Sequence, residues 1–117
     1  MKQEVKRKWV AALRSGEFAQ GEGALRRTTP SGDRYCCLGV LCEVAVRAGV
    51  IEQSQPNDHG FHYYGVASAV LPPSVVEWAG LDSTIPSVGA PAAPLTIHND
   101  SGQFTFAELA DLIERDL

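Results

Sequence analysis

No apolar stretch in this 117-residue chain approaches the roughly 20 residues that cross a bilayer as a helix. The basic, amphipathic N-terminus also lacks the apolar core of a secretory signal. A membrane-spanning helix is excluded by the first absence, and the second leads to the expectation of a cytoplasmic protein. Cysteine is scarce and odd in number, three in all. That leaves no complete disulfide framework, and reduced thiols are the default inside a cell. Cys36, Cys37 and Cys42 form no C-x-x-C pair and no second Cys/His knuckle follows them, so the roughly four ligands of a zinc site are missing. Neither a metal nor a cofactor is expected. Positive charge is not in excess: the net charge of −4 gives no general drive toward long nucleic acid. Repeats and low-complexity tracts are absent as well, and no linker separates two units.

What is present is an ordinary globular mixture, 44% hydrophobic and 21% charged, in a length that supports one core. Residues 1–117 are therefore read as a single domain. Charge is unevenly placed along it. Residues 2–34 hold Lys2, Lys6, Arg7, Lys8, Arg14, Arg26, Arg27 and Arg34 against Glu4, Glu17, Glu22 and Asp33, whereas the tail carries Asp100, Glu108, Asp111, Glu114 and Asp116 against Arg115. The first third suits an anion.

Val5, Trp9, Ala12 and Leu13 recur at helical spacing and Gly16 sits where a left-handed C-terminal residue belongs, which predicts a first helix with a basic outer side. "ALRRTT", "PSGD" and "RYCC" then read as two short strands about a turn. From Cys36 to Gly49 apolar residues cover most of a helical circumference, leaving a narrow polar line through Cys36, Gly39, Glu43 and Arg47. This is the central buried helix, with Glu43 and Arg47 placed as an i, i+4 pair. "FHYYGVA" is strand-like, "LPPSVVEWAG" is a short helix opened by proline and closed by glycine, and "LDSTIPSVGAPAAP" is a surface loop. Thr105 and Glu108 make a capping box for a last helix whose apolar face should dock on the central one. The fold class is α+β: about four helices around a buried central helix, with a short antiparallel hairpin or sheet.

Chemistry concentrates at the start of the central helix. Cys37 and Cys42 lie on its apolar sides, as core filler. Cys36 falls on the polar line at the N-terminus, where free N–H groups and the helix dipole favour a thiolate or hold an anion. Arg26, Arg27 and Arg34 lie on the hairpin leading into that end. Arg26 and Arg27 alternate faces, so one of them points in with Arg34. Tyr35, Tyr63, Tyr64 and Trp78 are candidates to stack on a base. Asn99 and Asp100 in "NDSG" are turn chemistry near the final helix and are counted with the binding residues. A cysteine hydrolase drawn from Cys36, His98 and Asp100 requires "LTIHND" to be extended, with His98 and Asp100 on one face.

"KWVAALRSGEFAQGEGALR", "RYCCLGVLCEVA", "LPPSVVEWAGL" and "NDSGQFTFAELADLIE" together resemble a family of small, mostly uncharacterised proteins of actinobacterial phages, marked by CCLGVLC and ND…TFAE. The resemblance implies a phage accessory protein in the host cytoplasm, of the kind that interferes with host defence, and carries no catalytic residue with it. Combined with the residues, it leads to a non-enzymatic sponge that captures a phosphate-bearing nucleotide signal through Arg26 or Arg27, Arg34 and the amides at Cys36, with homo-oligomerisation as a further expectation. Two rivals stand beside it, an inhibitor that binds a host defence protein and the cysteine hydrolase.

Overall fold

The computed structural model describes all 117 residues. Helix α1 (Gln3–Arg14) buries Val5, Trp9, Val10 and Leu13 at the i, i+4 and i+3 spacings that put them on one side. Gly16, at φ 77°, turns the chain away behind it. The Trp9 indole is wholly buried and its N–H donates to the Cys37 carbonyl at 2.9 Å, so one side chain both fills the core and ties α1 to the next helix.

Strands β1 (Arg26–Thr29) and β2 (Gly32–Tyr35) form an antiparallel hairpin about Pro30 and Ser31, with Arg27 opposite Arg34 and Arg26 opposite Tyr35. Gln20 bridges to Tyr35 on one side and Phe61 to Arg27 on the other, which widens the hairpin into a small sheet. Helix α2 (Cys37–Arg47) follows with every residue from Cys37 to Ala45 buried. It lies hard against the hairpin because Gly39 has no side chain: a Cβ there would sit 1.7 Å from the Leu25 carbonyl oxygen. What reads as part of a polar line is a contact that only glycine permits.

Strands β3 (Gln55–Pro56) and β4 (His62–Tyr63) pair antiparallel, and Tyr64 to Ala67 close a tight turn with Gly65 at φ 65°. Helix α3 (Pro73–Ala79) has proline at its start and Gly80 in the left-handed conformation at its end, as its sequence predicts. The Pro/Ala-rich segment is not a bare loop. It folds back as β5 (Ser87–Val88) on β6 (Ala93–Pro94) and buries Val88.

The helix count is five, because "LTIHND" is helix α4 (Leu95–Asp100) and not extended chain. Leu95 and Asn99, one turn apart, both point inward. Helix α5 (Phe106–Asp116) carries both bonds of the capping box, Glu108 N to Thr105 Oγ1 at 3.2 Å and Thr105 N to Glu108 Oε1 at 3.1 Å. It packs chiefly on α1, not on α2 as its apolar face alone suggested, since α1 lies alongside both. The class is α+β, one domain around one core in which Trp9, Leu38, Leu41, Leu109 and Ile113 are fully buried. No helix is long and apolar enough to cross a membrane.

Candidate functional site

The N-terminus of α2 is closed. Cys36 is 3% exposed, and its N–H donates to the Leu25 carbonyl at 3.3 Å. The Cys37 N–H donates to Asn99 Oδ1 at 3.3 Å, and the amides of Leu38 and Gly39 follow in a buried stretch. The tip is covered and offers no open surface to an anion. Asn99, read as turn chemistry and counted with the binding residues, is 1% exposed: its Oδ1 also accepts from Gln20 Nε2 at 3.1 Å, while its Nδ2 donates to the Gly21 carbonyl at 2.8 Å and to Asp100 Oδ1 at 2.9 Å. The depression beside the tip holds about 210 Å³, below the ~300 Å³ of ordinary ligand pockets. It is lined by Ala69, Val70 and Ile85 with the Asp100 carboxylate and no guanidinium, the wrong charge for phosphate.

The hydrolase geometry fails at the same place. Burial pushes the Cys36 thiol up to about 11, so it is not a thiolate at neutral pH. His98 Nε2 lies 2.8 Å from the Val88 carbonyl, and the ring packs edge-on against Phe104. Asp100 takes the Gly23 N–H at 3.2 Å. Because α4 is helical, His98 and Asp100 sit about 200° apart around its axis instead of sharing a face.

The candidate binding residues separate by the two-residue period of the sheet. One face points inward. Arg26 Nε and Nη2 donate to Asp33 Oδ2 at 2.9 and 2.6 Å, and Nη1 reaches Gln53 Oε1 at 3.1 Å and lies 3.6 Å from Glu43 Oε2. The Tyr64 hydroxyl donates to the same Glu43 oxygen at 2.6 Å, and Gln53 Nε2 donates to Oε1 at 3.1 Å. Glu43 therefore pairs across to the sheet. Its expected partner Arg47 instead forms an ion pair with Glu17. Thr28 Oγ1 donates to Asp33 Oδ1 at 2.7 Å, so it accepts from His62 Nε2 at 2.9 Å, which leaves His62 Nδ1 to accept from the Ser54 hydroxyl at 2.7 Å.

Burial, helped by the charge of Arg26, holds His62 below the usual imidazole range; the Thr28 hydrogen bond, joined by Arg26, holds Asp33 below the usual carboxylate range. Ser54 and His62 have the spacing of a nucleophile and its base, but they are 5% and 6% exposed, so no substrate reaches them. Every buried side-chain polar atom here has a partner. Arg26, Tyr35 and Tyr64 thus belong to a closed internal network and are not available to a ligand. Tyr35 is further held edge-on against Phe18 at 5.0 Å and under the Arg26 guanidinium at 5.2 Å. Trp78 is half-buried against the core.

The other face points out. Arg27 and Arg34 are directly opposite each other on β1 and β2, both exposed, and neither forms an ion pair. Arg14, Arg26, Arg47 and Arg115 all do. The Arg27 guanidinium lies over the Phe61 ring, 4.5 Å from its centre, and Arg34 Nη1 only grazes the Gln20 carbonyl at 3.5 Å. Tyr63, two residues beyond Phe61 on the same side, is 38% exposed. The structure thus brings together Arg27, Arg34 and Tyr63 from the predicted set, adds Phe61, which the sequence reading passed over, and separates them from Cys36, Asn99 and Asp100. The signal for Phe61 was available: it alternates with His62 and precedes Tyr63 by one period. A larger groove of about 730 Å³ runs along α1, but Arg14 in its wall is neutralised by Asp111 and Glu114, and Lys6 donates to the Glu114 carbonyl.

No curated protein and no solved structure matches this chain. Residues 1–117 match a family described as a domain of unknown function, DUF8296, and the chain belongs to that family.

Proposed function

We propose that this protein acts by binding and that the outer face of the hairpin sheet is its contact surface, with Arg27 and Arg34 taking the phosphate of a nucleotide-derived ligand and Tyr63 its base. The observation that carries the reading is the pair of exposed arginines at opposed positions of β1 and β2, neither of them tied to a carboxylate. Like charges opposite each other on a sheet cost ~0.2–1 kcal/mol, so the pair is unfavourable in the free protein and is relieved by an anion between the two. Phosphate fits because guanidinium presents a planar fork of donors to its oxygens. The inner network fixes which residues face out. With Arg26, Asp33 and His62 tied inside, a slip of one residue would bury Arg27 and Arg34 instead.

The setting comes from the phage resemblance: a host-takeover or anti-defence accessory protein that sequesters a nucleotide immune signal in the host cytoplasm. The openness of the face favours a second reading, in which acidic side chains of a host defence protein occupy the same guanidiniums. A thermal-shift and calorimetric screen against cyclic di- and trinucleotides and ADP-ribose derivatives tests the first. Binding is expected for the wild type and lost in Arg27→Ala/Arg34→Ala. Binding that survives this double variant would refute the assignment, and no response to any nucleotide would favour the protein partner.

A further inference from the structure

We infer that the groove along α1 is a docking site for an acidic amphipathic helix of a partner protein. It is a second surface, independent of the hairpin face. Gln3, Lys6, Arg7, Val10, Ala11 and Arg14 line the groove, and Glu114 of α5 stands in its far wall. Steps of three and four residues put these six on one stripe of α1, the pattern that a helix shows to a packed neighbour. The core-facing side of α1, through Val5, Trp9 and Leu13, is already covered by α5 and α2. The groove is the trough left open beside that contact.

The stripe runs the length of α1, about three turns, and the trough holds about 730 Å³. Val10 and Ala11 lie at its middle, where a methyl side chain lets a second backbone approach to the ~8–10 Å of packed helices. Lysine and arginine add their aliphatic stems to that surface. Charge then selects the occupant. Arg14 donates to Asp111 Oδ1 at 2.6 Å and to Glu114 Oε2 at 2.8 Å, so both carboxylates beside the groove are engaged. Lys6 and Arg7 join no ion pair: the Lys6 ammonium reaches only the Glu114 carbonyl, at 3.3 Å, and Arg7 is exposed. The groove is therefore cationic at one end, neutralised at the other and apolar between. A helix with apolar residues every three or four positions and carboxylates beside Lys6 and Arg7 complements it. A second copy of the chain does not. Antiparallel pairing about Val10 and Ala11 would set Arg7 of each copy against Arg14 of the other, and parallel pairing would oppose Arg7 to Arg7. Two free cations on a chain of net charge −4 also give little hold on a polynucleotide.

The test is a nuclear magnetic resonance titration of the full chain with two synthetic helical peptides of about three to four turns. One carries leucine and alanine on one face with glutamate flanking it, and the other has lysine in place of glutamate. The glutamate peptide should bind at least ~10-fold more tightly, moving the Val10 and Ala11 methyl signals, and should weaken as salt is raised. Arg7→Glu should abolish that preference. Lys8→Glu, one residue on but outside the groove, should leave both affinities within about twofold, as should Arg27→Ala/Arg34→Ala. No binding of the glutamate peptide, equal binding of the two peptides, or equal losses in Arg7→Glu and Lys8→Glu would overturn the proposal. Signals that move only on the hairpin would overturn it too, and displacement of the glutamate peptide by a single-stranded oligonucleotide would assign the groove to nucleic acid instead.

Discussion

Asn99→Ala should be among the most damaging single substitutions in this protein, although the residue sits one position from an exposed aspartate in a segment that reads as a turn. The amide makes four hydrogen bonds: Oδ1 accepts from Cys37 N and Gln20 Nε2, and Nδ2 donates to Gly21 O and Asp100 Oδ1. Two of them count little. Asp100 is exposed and rehydrates, and the 3.3 Å bond to Cys37 N is long. Gly21 O and the Gln20 carboxamide lose a partner in a partly buried setting, which costs ~1–3 kcal/mol for each group left unsatisfied. A total of about 2–6 kcal/mol is a large share of the ~5–15 kcal/mol of a typical domain. At this length it corresponds to a fall in Tm of roughly 8–25 °C. Urea unfolding followed by circular dichroism measures it directly. Asn99→Asp keeps the acceptor but removes the donor to Gly21 O and sets a carboxylate beside Asp100, so it should fall between wild type and alanine. A Tm loss under about 3 °C for Asn99→Ala, with an unchanged urea slope, would refute the account of the α2 tip as closed by this side chain.

Gly39→Ala forces a methyl onto the Leu25 carbonyl and should cost at least the ~1–3 kcal/mol of an overpacked core, read by the same unfolding assay; a neutral result would mean that α2 is not seated against the hairpin as described. The two neighbouring arginines should behave oppositely, with Arg26→Ala losing ~2–3 kcal/mol because Asp33 and Glu43 are left in the inner network without their cation, and Arg27→Ala unchanged within ~0.5 kcal/mol. Stability should be flat between about pH 7 and 8, decline on acidification, and decline again in alkali, where the unfolded thiols ionise before the buried ones. His62 is held below its ordinary value near 6.5 when folded, so the unfolded chain takes up protons first as pH falls through that value, and Asp33, held below 3.8, adds a second loss further down. In a Tm-against-pH series His62→Gln should remove the first step and spare the second, and an unaltered first step would exclude His62 as its source. All three thiols should resist alkylation in the native state and react only on unfolding, because burial raises each of them; fast native labelling of Cys36 would show that the tip opens.

The inner network and the outer face are two sides of one sheet, and the network ties buried Glu43, Ser54, His62 and Tyr64 to half-buried Arg26 and Asp33 and to exposed Thr28 and Gln53. Arg26, Thr28, Asp33, Glu43, Gln53, Ser54, His62 and Tyr64 satisfy one another. Apolar residues in their place would pack as well and bind no worse to α2, but they would not fix the register between three short segments that share few ladder bonds. That register decides whether Arg27 and Arg34 are presented to solvent.

The sequence by itself determined the helices whose signals are local: the stripe of α1, the proline and glycine ends of α3, the capping box of α5 and the apolar run of α2. Each depends on residues three or four apart, and no distant partner can change that spacing. It also determined the hairpin and the alternation of Arg26 with Arg27. Only the tertiary structure decided which of the two faces out, because that follows from where Glu43, Gln53, Ser54 and His62 arrive from other parts of the chain. It likewise turned "LTIHND" into a helix by burying Leu95 and Asn99 together, and made Cys36 inert by burying it where Leu25 and Asn99 meet the start of α2. A helix end exposes its amides unless something covers them, and the Asn99 side chain that takes the first amide of α2 lies 62 residues away in sequence, beyond the reach of any local pattern.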